Sequence, residues 1–311
     1  IGNETEAIDA STIAIGDKAK AKGGVDALAV GTQANAMTYK ALAIGAYSQA
    51  TGRQSTVIGN DIQGQPSIAS GTRSQILGVQ SNVSGDNSVS IGDTNNVAAA
   101  RTYVMGNNIN VDNDKAVDSL AFGTQAKVAG INTIAMGTQS EAAKNYAIAI
   151  GAMAKSRDFS TVALGSNSDA VNASAIAVGN ESNAIAQSST AIGFRAKAQG
   201  YEQVSIGSNA GNSSPVNAEN YGAVFIGRHA GSGNNSATGN TDGVSIGSNA
   251  GQNAVSGIKN IAVGPSAGQS VEGSQNLALS FNAGSSVKGD NNLAMMVGAG
   301  NNIEGGNNIA I

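Results

Sequence analysis

The chain has 311 residues and a net charge of −4 from 17 basic and 21 acidic side chains, with no Cys, no Trp and one His. Zero cysteine excludes a disulfide framework, thiolate metal sites and a thiol nucleophile. One histidine gives little support to a nucleophile–base triad or a zinc cluster, and thinly spread charge without a basic, aromatic-interleaved run argues against nucleic-acid binding.

From the N-terminus, one phrase keeps returning: Thr12-Ile13-Ala14-Ile15-Gly16, Ala27-Leu28-Ala29-Val30-Gly31, Ala41-Leu42-Ala43-Ile44-Gly45. Gly31, Gly45 and Gly59 stand 14 apart, as do Gly78, Gly92 and Gly106, with a step of 19 from Gly59 to Gly78 and of 17 from Gly106 to Gly123. From Gly123 through Gly137, Gly151, Gly165, Gly179 and Gly193 to Gly207 they stand 14 apart. The steps to Gly227 and Gly247 are 20, and after Gly264 the slot recurs every 16 residues at Ser280 and Met296. Two regions are therefore expected, 1–207 with mostly 14-residue repeats and 208–311 with longer 16–20-residue repeats. The array is in register at both ends, which suggests a segment of a longer chain.

A fixed period points to a repeat architecture. Fourteen residues are too few for a two-helix unit and fit two short strands, each ended by a tight turn. β-branched residues and alternation agree with strands. The expected fold is an all-β parallel β-roll (solenoid) of 14–20-residue coils. Counting from the anchor glycine, offsets −3 and −1 carry large apolar residues such as Ile148 and Ile150 or Val162 and Leu164. They share one face of the leading strand, which is expected to be the core. Offset −2, on the other face, is small: Ala14, Ala29, Ala43, Ala121, Ala135, Ala149, Ala163, Ala177 and Ala191. A uniformly small, non-polar face suggests a closely approaching backbone, and these alanines are expected to form a subunit interface; a cyclic assembly of three suits such a strip, and the residues alone do not distinguish three subunits from two. Offsets +3 and +5 of the trailing strand are also small (Ala19 and Ala21, Ala196 and Ala198) and are expected inside, with +2 and +4 wet. The sign alternation Lys127, Glu141, Lys155, Asp169 at +4 would then form one column.

The Ala-Ile-Ala-Ile-Gly phrase at 14-residue spacing, followed by x-x-Ala-x-Ala-x-Gly, resembles the YadA-like head of trimeric autotransporter adhesins over about Ile1 to Gly207. Ser205-Ile206-Gly207-Ser208-Asn209-Ala210-Gly211, repeated almost verbatim at Ser245 to Gly251, resembles looser head repeats of that family. The resemblance implies a homotrimer of left-handed parallel β-rolls, an extracellular passenger on a Gram-negative outer membrane. It implies attachment to host matrix protein, host cells or abiotic surfaces, without cofactor, enzymatic activity, nucleic acid or membrane contact by this segment. Alternatives are self-association for agglutination or biofilm, and a trimeric phage-fibre β-helix with glycan-directed activity.

Tyr39, Arg53, Phe159 and Tyr201 share a turn position, offset +8, and are candidate ligand contacts; the competing reading is that they staple the turn. Lys18-Lys20-Lys22 reads as a solvated strand face, and His229 as an ordinary surface residue. Asp112-Asn113-Asp114 with Asp118 lacks the glycine and closing glutamate of a calcium loop. The expanded loops Asn60–Ser74, Asn107–Asp118, Asn212–Gly222 and Ser232–Gly243 are further candidate surfaces.

Overall fold

The computed structural model describes residues 1–60, 64–112, 115–212, 221–233, 241–254 and 257–311. It is divided into two compact units, Ile1–Met153 and Ala154–Ile311. Both are built from the same coil, and every described strand pairing is parallel. No helix occurs among the described residues.

Each coil of the first unit has a leading strand ending just before the anchor glycine, such as Ile13–Ile15, Leu28–Val30 and Leu42–Ile44. A trailing two-residue strand follows, such as Lys20–Ala21, Asn35–Ala36 and Gln49–Ala50. Stacking is in register: Ala14 faces Ala29, Ala29 faces Ala43, and Ala21 faces Ala36. Ten leading strands stack in each unit, about twenty coils of a parallel β-solenoid in all. The irregular steps are absorbed without loss of register. Gln75–Leu77 pairs with Thr56–Ile58 across the 19-residue step, and Tyr103–Met105 pairs with Leu120–Phe122 across the 17-residue step.

In the second unit the leading strands continue through Val204–Ile206, Val224–Ile226 and Val244–Ile246 to Ile261–Val263 and Leu277–Leu279. Trailing strands end at Lys197–Ala198. Longer coils replace them with turns that still stack, through Gly211 N–H to Ala230 O and Gly231 N–H to Ala250 O, each 2.9 Å. Single parallel bridges, Glu272 to Lys288 to Glu304, reappear in the last coils.

The anchor position explains itself on two counts. Gly165 has φ +129, where an L side chain is strained, and a Cβ there would sit 2.5 Å from the carbonyl oxygen of Gly179 in the next coil. Stacking at β-sheet spacing, about 4.8 Å, leaves no room for a side chain aimed along the stacking axis.

The face assignment expected for the leading strand is reversed. Ala29, Ala43, Ala121, Ala135, Ala149, Ala163, Ala177 and Ala191 are 0% exposed within a single chain, and Ala14 is 5%. They lie in the core of their own coil, against Ala19, Ala21, Ala196, Ala198 and their equivalents, also 0% exposed. These alanines therefore cannot supply the subunit contact expected of them. The close backbone is the trailing strand of the same coil. The large residues at −3 and −1 point outward instead: Ile13 is 52% exposed, Leu77 52% and Phe122 44%. Two strands joined by tight turns leave a narrow gap, which most coils fill with small residues on both inner faces, while Val57, Ile76 and Val104 take inward −2 slots in a few.

The exceptions support this reading. Phe225 occupies an inward −2 slot at 0% exposure. Opposite it stands Gly231, where a Cβ would come within 2.4 Å of the ring. Many polar groups enclosed in the thin core are also bonded, Ser55 Oγ being an exception. Gln203 Oε1 accepts the N–H groups of Gln199 and Gly200 at 3.1 and 2.8 Å, while its Nε2 donates to Ser205 Oγ at 2.9 Å. In the last coils Asn260, Asn276, Asn292 and Asn308 form a ladder. The backbone N–H of each later Asn donates to the Oδ1 of the one before, at 2.9, 3.0 and 3.0 Å. Their Nδ2 groups reach Gly273, Gly289 and Gly305 carbonyls at 2.8, 2.9 and 3.0 Å for Asn260, Asn276 and Asn292.

Candidate interaction surfaces

A coil of this kind offers three outer surfaces: the large apolar face of the leading strand, the polar face of the trailing strand, and the turn ridges joining them. The first is continuous within each unit, because offsets −3 and −1 are outward in every coil and mostly Ile, Leu, Val, Met or Phe. Contiguous exposed apolar area of this extent marks an interaction surface.

The polar face is laced by pairs between adjacent coils. Lys127 Nζ lies 2.8 Å from Glu141 Oε1, with the two residues in direct register. Lys155 and Asp169 are likewise register neighbours, but Asp169 is taken by Arg157, whose Nη2 lies 2.6 Å from Oδ2. Lys18, Lys20 and Lys22 are answered by carboxylates of the preceding coil. Lys18 lies 3.9 Å from Glu4, while Lys20 and Lys22 reach Glu6 at 3.1 and 3.2 Å. Hydrogen bonds from these two ammonium groups hold the Glu6 carboxyl below the usual carboxylate range. Lys18–Lys22 thus serve coil stacking and form one wall of a groove of about 530 Å³ that also includes Gln33, Asn35 and Gln49.

The turn ridges carry the aromatic candidates. Both turns place a residue in the left-handed region in nearly every coil, for example Lys40 (φ 54) and Tyr47 (φ 61), so their tips are held outward. Tyr39 and Arg53 come together: the Arg53 guanidinium carbon lies 5.1 Å from the Tyr39 ring centroid, and Lys40 Nζ 5.2 Å. In the second unit Phe159 is 50% exposed, and Tyr201, 51% exposed, stacks on Tyr221 with centroids 5.4 Å apart and planes at 8°. Lys40 and Tyr221 were not singled out from sequence. Lys40 occupies the neighbouring turn slot, while Tyr221 lies 20 residues after Tyr201, a spacing that the 14-residue period hides. His229 is a half-buried turn residue with φ 57.

No group of three or more His, Cys, Asp or Glu side chains able to hold a metal occurs among the described residues. Asn113 and Asp114 lie outside those residues. So do 61–63 of the Asn60–Ser74 loop, 213–220 of Asn212–Gly222 and 234–240 of Ser232–Gly243. No described helix is long and apolar enough to cross a membrane.

A parallel β-solenoid with a small-residue interior, a large apolar outer face and polar turn ridges belongs to the class of surface-displaying repeat scaffolds. Residues 39–61, 77–94, 115–140, 129–154, 159–182 and 184–210 match the family model described as the YadA head domain repeat (2 copies). Those stretches are YadA-like head repeats, which form the surface-exposed passenger heads of trimeric autotransporter adhesins. All matched stretches lie within 39–210; beyond them, unbroken leading-strand pairing carries the same coil plan onward. No curated protein matched the chain.

Proposed function

We propose that this chain is a non-enzymatic adhesive head that works as a homotrimer, with the −3/−1 face of each subunit buried against its sisters. It attaches to host matrix protein, host cells or abiotic surfaces through the trailing-strand face and the turn ridges. The observation that carries this reading is the outward apolar face itself. Ile15, Ile58, Phe122 and Ile150 in the first unit, and Ile176, Ile226 and Ile246 in the second, are between 36% and 44% exposed in one chain. Repeated copies of one strip suit a closed cyclic assembly, in which each subunit covers its neighbour. Removing such area from water contributes about 25 cal/mol per Å², and the small-residue core of a single coil supplies little of that itself.

The adhesive part is tested by coating beads with purified head and measuring retention on immobilised matrix proteins, cultured host cells and plastic. Retention on at least one, displaced by soluble head, is the expected result. Beads that stick only to one another would support self-association instead, and release of sugars from a glycan panel would overturn the non-enzymatic assignment.

A further inference from the structure

One cluster on the first unit's turn ridge runs against the chain's acidic balance. Lys40, Arg53 and Arg73 occupy three successive coils on the same ridge and are all exposed. The ridge backbone fixes that succession: Gln54 N–H donates to Tyr39 O at 2.9 Å, and Arg73 N–H donates to Arg53 O at 2.8 Å. Lys40 and Arg73 share one turn slot two coils apart, and Arg53 stands one residue before that slot in the coil between them; successive coils follow at about 4.8 Å. Tyr39 organises two of them, with Lys40 and Arg53 both over its ring. Arg73 is held by a hydrogen bond from its Nε to Asn87 Oδ1 at 2.6 Å.

Among the described residues no carboxylate pairs with this cluster; Lys115, Lys144, Lys155, Lys197, Arg228, Lys259 and Lys288 are also outside the ion pairs, but only Lys40, Arg53 and Arg73 fall together on one ridge in three successive coils. The ion pairs of the described residues engage Lys18, Lys20, Lys22, Arg101, Lys127, Arg157 and Arg195, but none of these three. The acidic groups nearest along the ridge bound the cluster at its ends. Asp26 precedes Lys40 by one coil, and Asp86 follows Arg73, its Oδ1 occupied by Thr72 N–H at 2.7 Å. The result is a positive strip three coils long.

We infer that Lys40, Arg53 and Arg73 form a binding strip for an acidic polysaccharide. An extended chain of sugars advances per residue by a distance comparable to one coil, so successive sulfates or carboxylates can meet successive cations. The strip lies on an outward ridge, where a long polymer can pass without a deep cleft. Single-stranded nucleic acid needs exposed rings for base stacking, and here the one ring, Tyr39, already lies beneath Lys40 and Arg53. The inference rests on the adhesive reading and names a ligand class for it.

The test is binding of the full chain to heparin, measured by surface plasmon resonance at several salt concentrations. Three contacts give a log–log salt slope of about −2, or a loss of roughly tenfold to twentyfold between about 50 and about 200 mM salt. A Lys40→Gln/Arg53→Gln/Arg73→Gln variant is expected to lose binding at least tenfold. A Lys18→Gln/Lys20→Gln/Lys22→Gln variant with the same change in charge is expected to keep it, and melting curves check that both are folded. Wild-type chain that ignores heparin, equal losses in the two variants, or equally tight binding of single-stranded DNA would each overturn the inference. Coated beads that stick to host cells without any affinity for heparin would refute this strip and leave the adhesive head standing. Heparin binding by a head whose beads stick to nothing would refute the adhesive reading.

Discussion

At position 149 a methyl group fills the space between the two strands of its coil, while the isoleucine beside it faces out. Ala149 is 0% exposed and Ile150 38%, so enlarging one and removing the other should fail in different ways. Ala149→Leu forces extra volume into a packed core and is expected to cost about 1–3 kcal/mol or more, read as a lowered denaturation midpoint at any protein concentration. Ile150→Ser leaves the coil intact and is expected to weaken assembly, read as dissociation on dilution. A second residue-scale case is Ser280, which stands where nearly every other coil has glycine, at φ 118. Such backbone strain costs of order 1–3 kcal/mol. Ser280→Gly is expected to stabilise the chain by about 1 kcal/mol in chemical denaturation, and an unchanged midpoint would contradict this. The alternation of faces was legible in sequence, since Ala149 and Ile150 had to point opposite ways. Which face was inside was not. Hydrophobicity favours burying the Ile, and only the distance between strands, which the sequence does not display, reverses the choice. The small residues at +3 and +5 held the clue, because an inner face built of Ala and Ser can face a second inner face of Ala and Ser across a very narrow gap.

At the scale of the coil, period and interior chemistry change together. Most coils of 14 residues close over Ala, Ser and Thr, with Val57, Val83, Val97 and Val104 enclosed in a few. The last coils, at 16 residues, close over the asparagine ladder. Asn276 accepts the N–H of Asn292 and donates to the Gly289 carbonyl, both within the core. Asn276→Ala removes both bonds and leaves two enclosed backbone groups unpaired. About 1–3 kcal/mol per unsatisfied group is expected, with loss of amide-exchange protection centred on residues 289–292. Protection unchanged there would contradict a structural role for the ladder. The periods themselves and the parallel stacking were readable from glycine spacing alone. The ladder was not recognised, because asparagines in a chain this rich in Asn read as solvated turns until the stacking aligns them. The aromatic ridge was half legible for a related reason. Tyr39 and Arg53 share a slot one period apart, whereas the partner of Tyr201 lies across an expanded coil.

For the whole molecule, labour divides between an inside and an outside. The interior of each coil is narrow and holds mostly small side chains, so a single chain leaves many of its large apolar residues partly wet along one face of each unit. The same division frees the opposite face and the ridges for charge pairing and ligand contact, including the unpaired strip at Lys40, Arg53 and Arg73. Sedimentation equilibrium of the purified chain tests this most directly. The account predicts a single species at three times the mass of one chain, 30.6 kDa, persisting on dilution and dissociating in Ile150→Ser. A stable, folded 30.6 kDa species at all concentrations would contradict it.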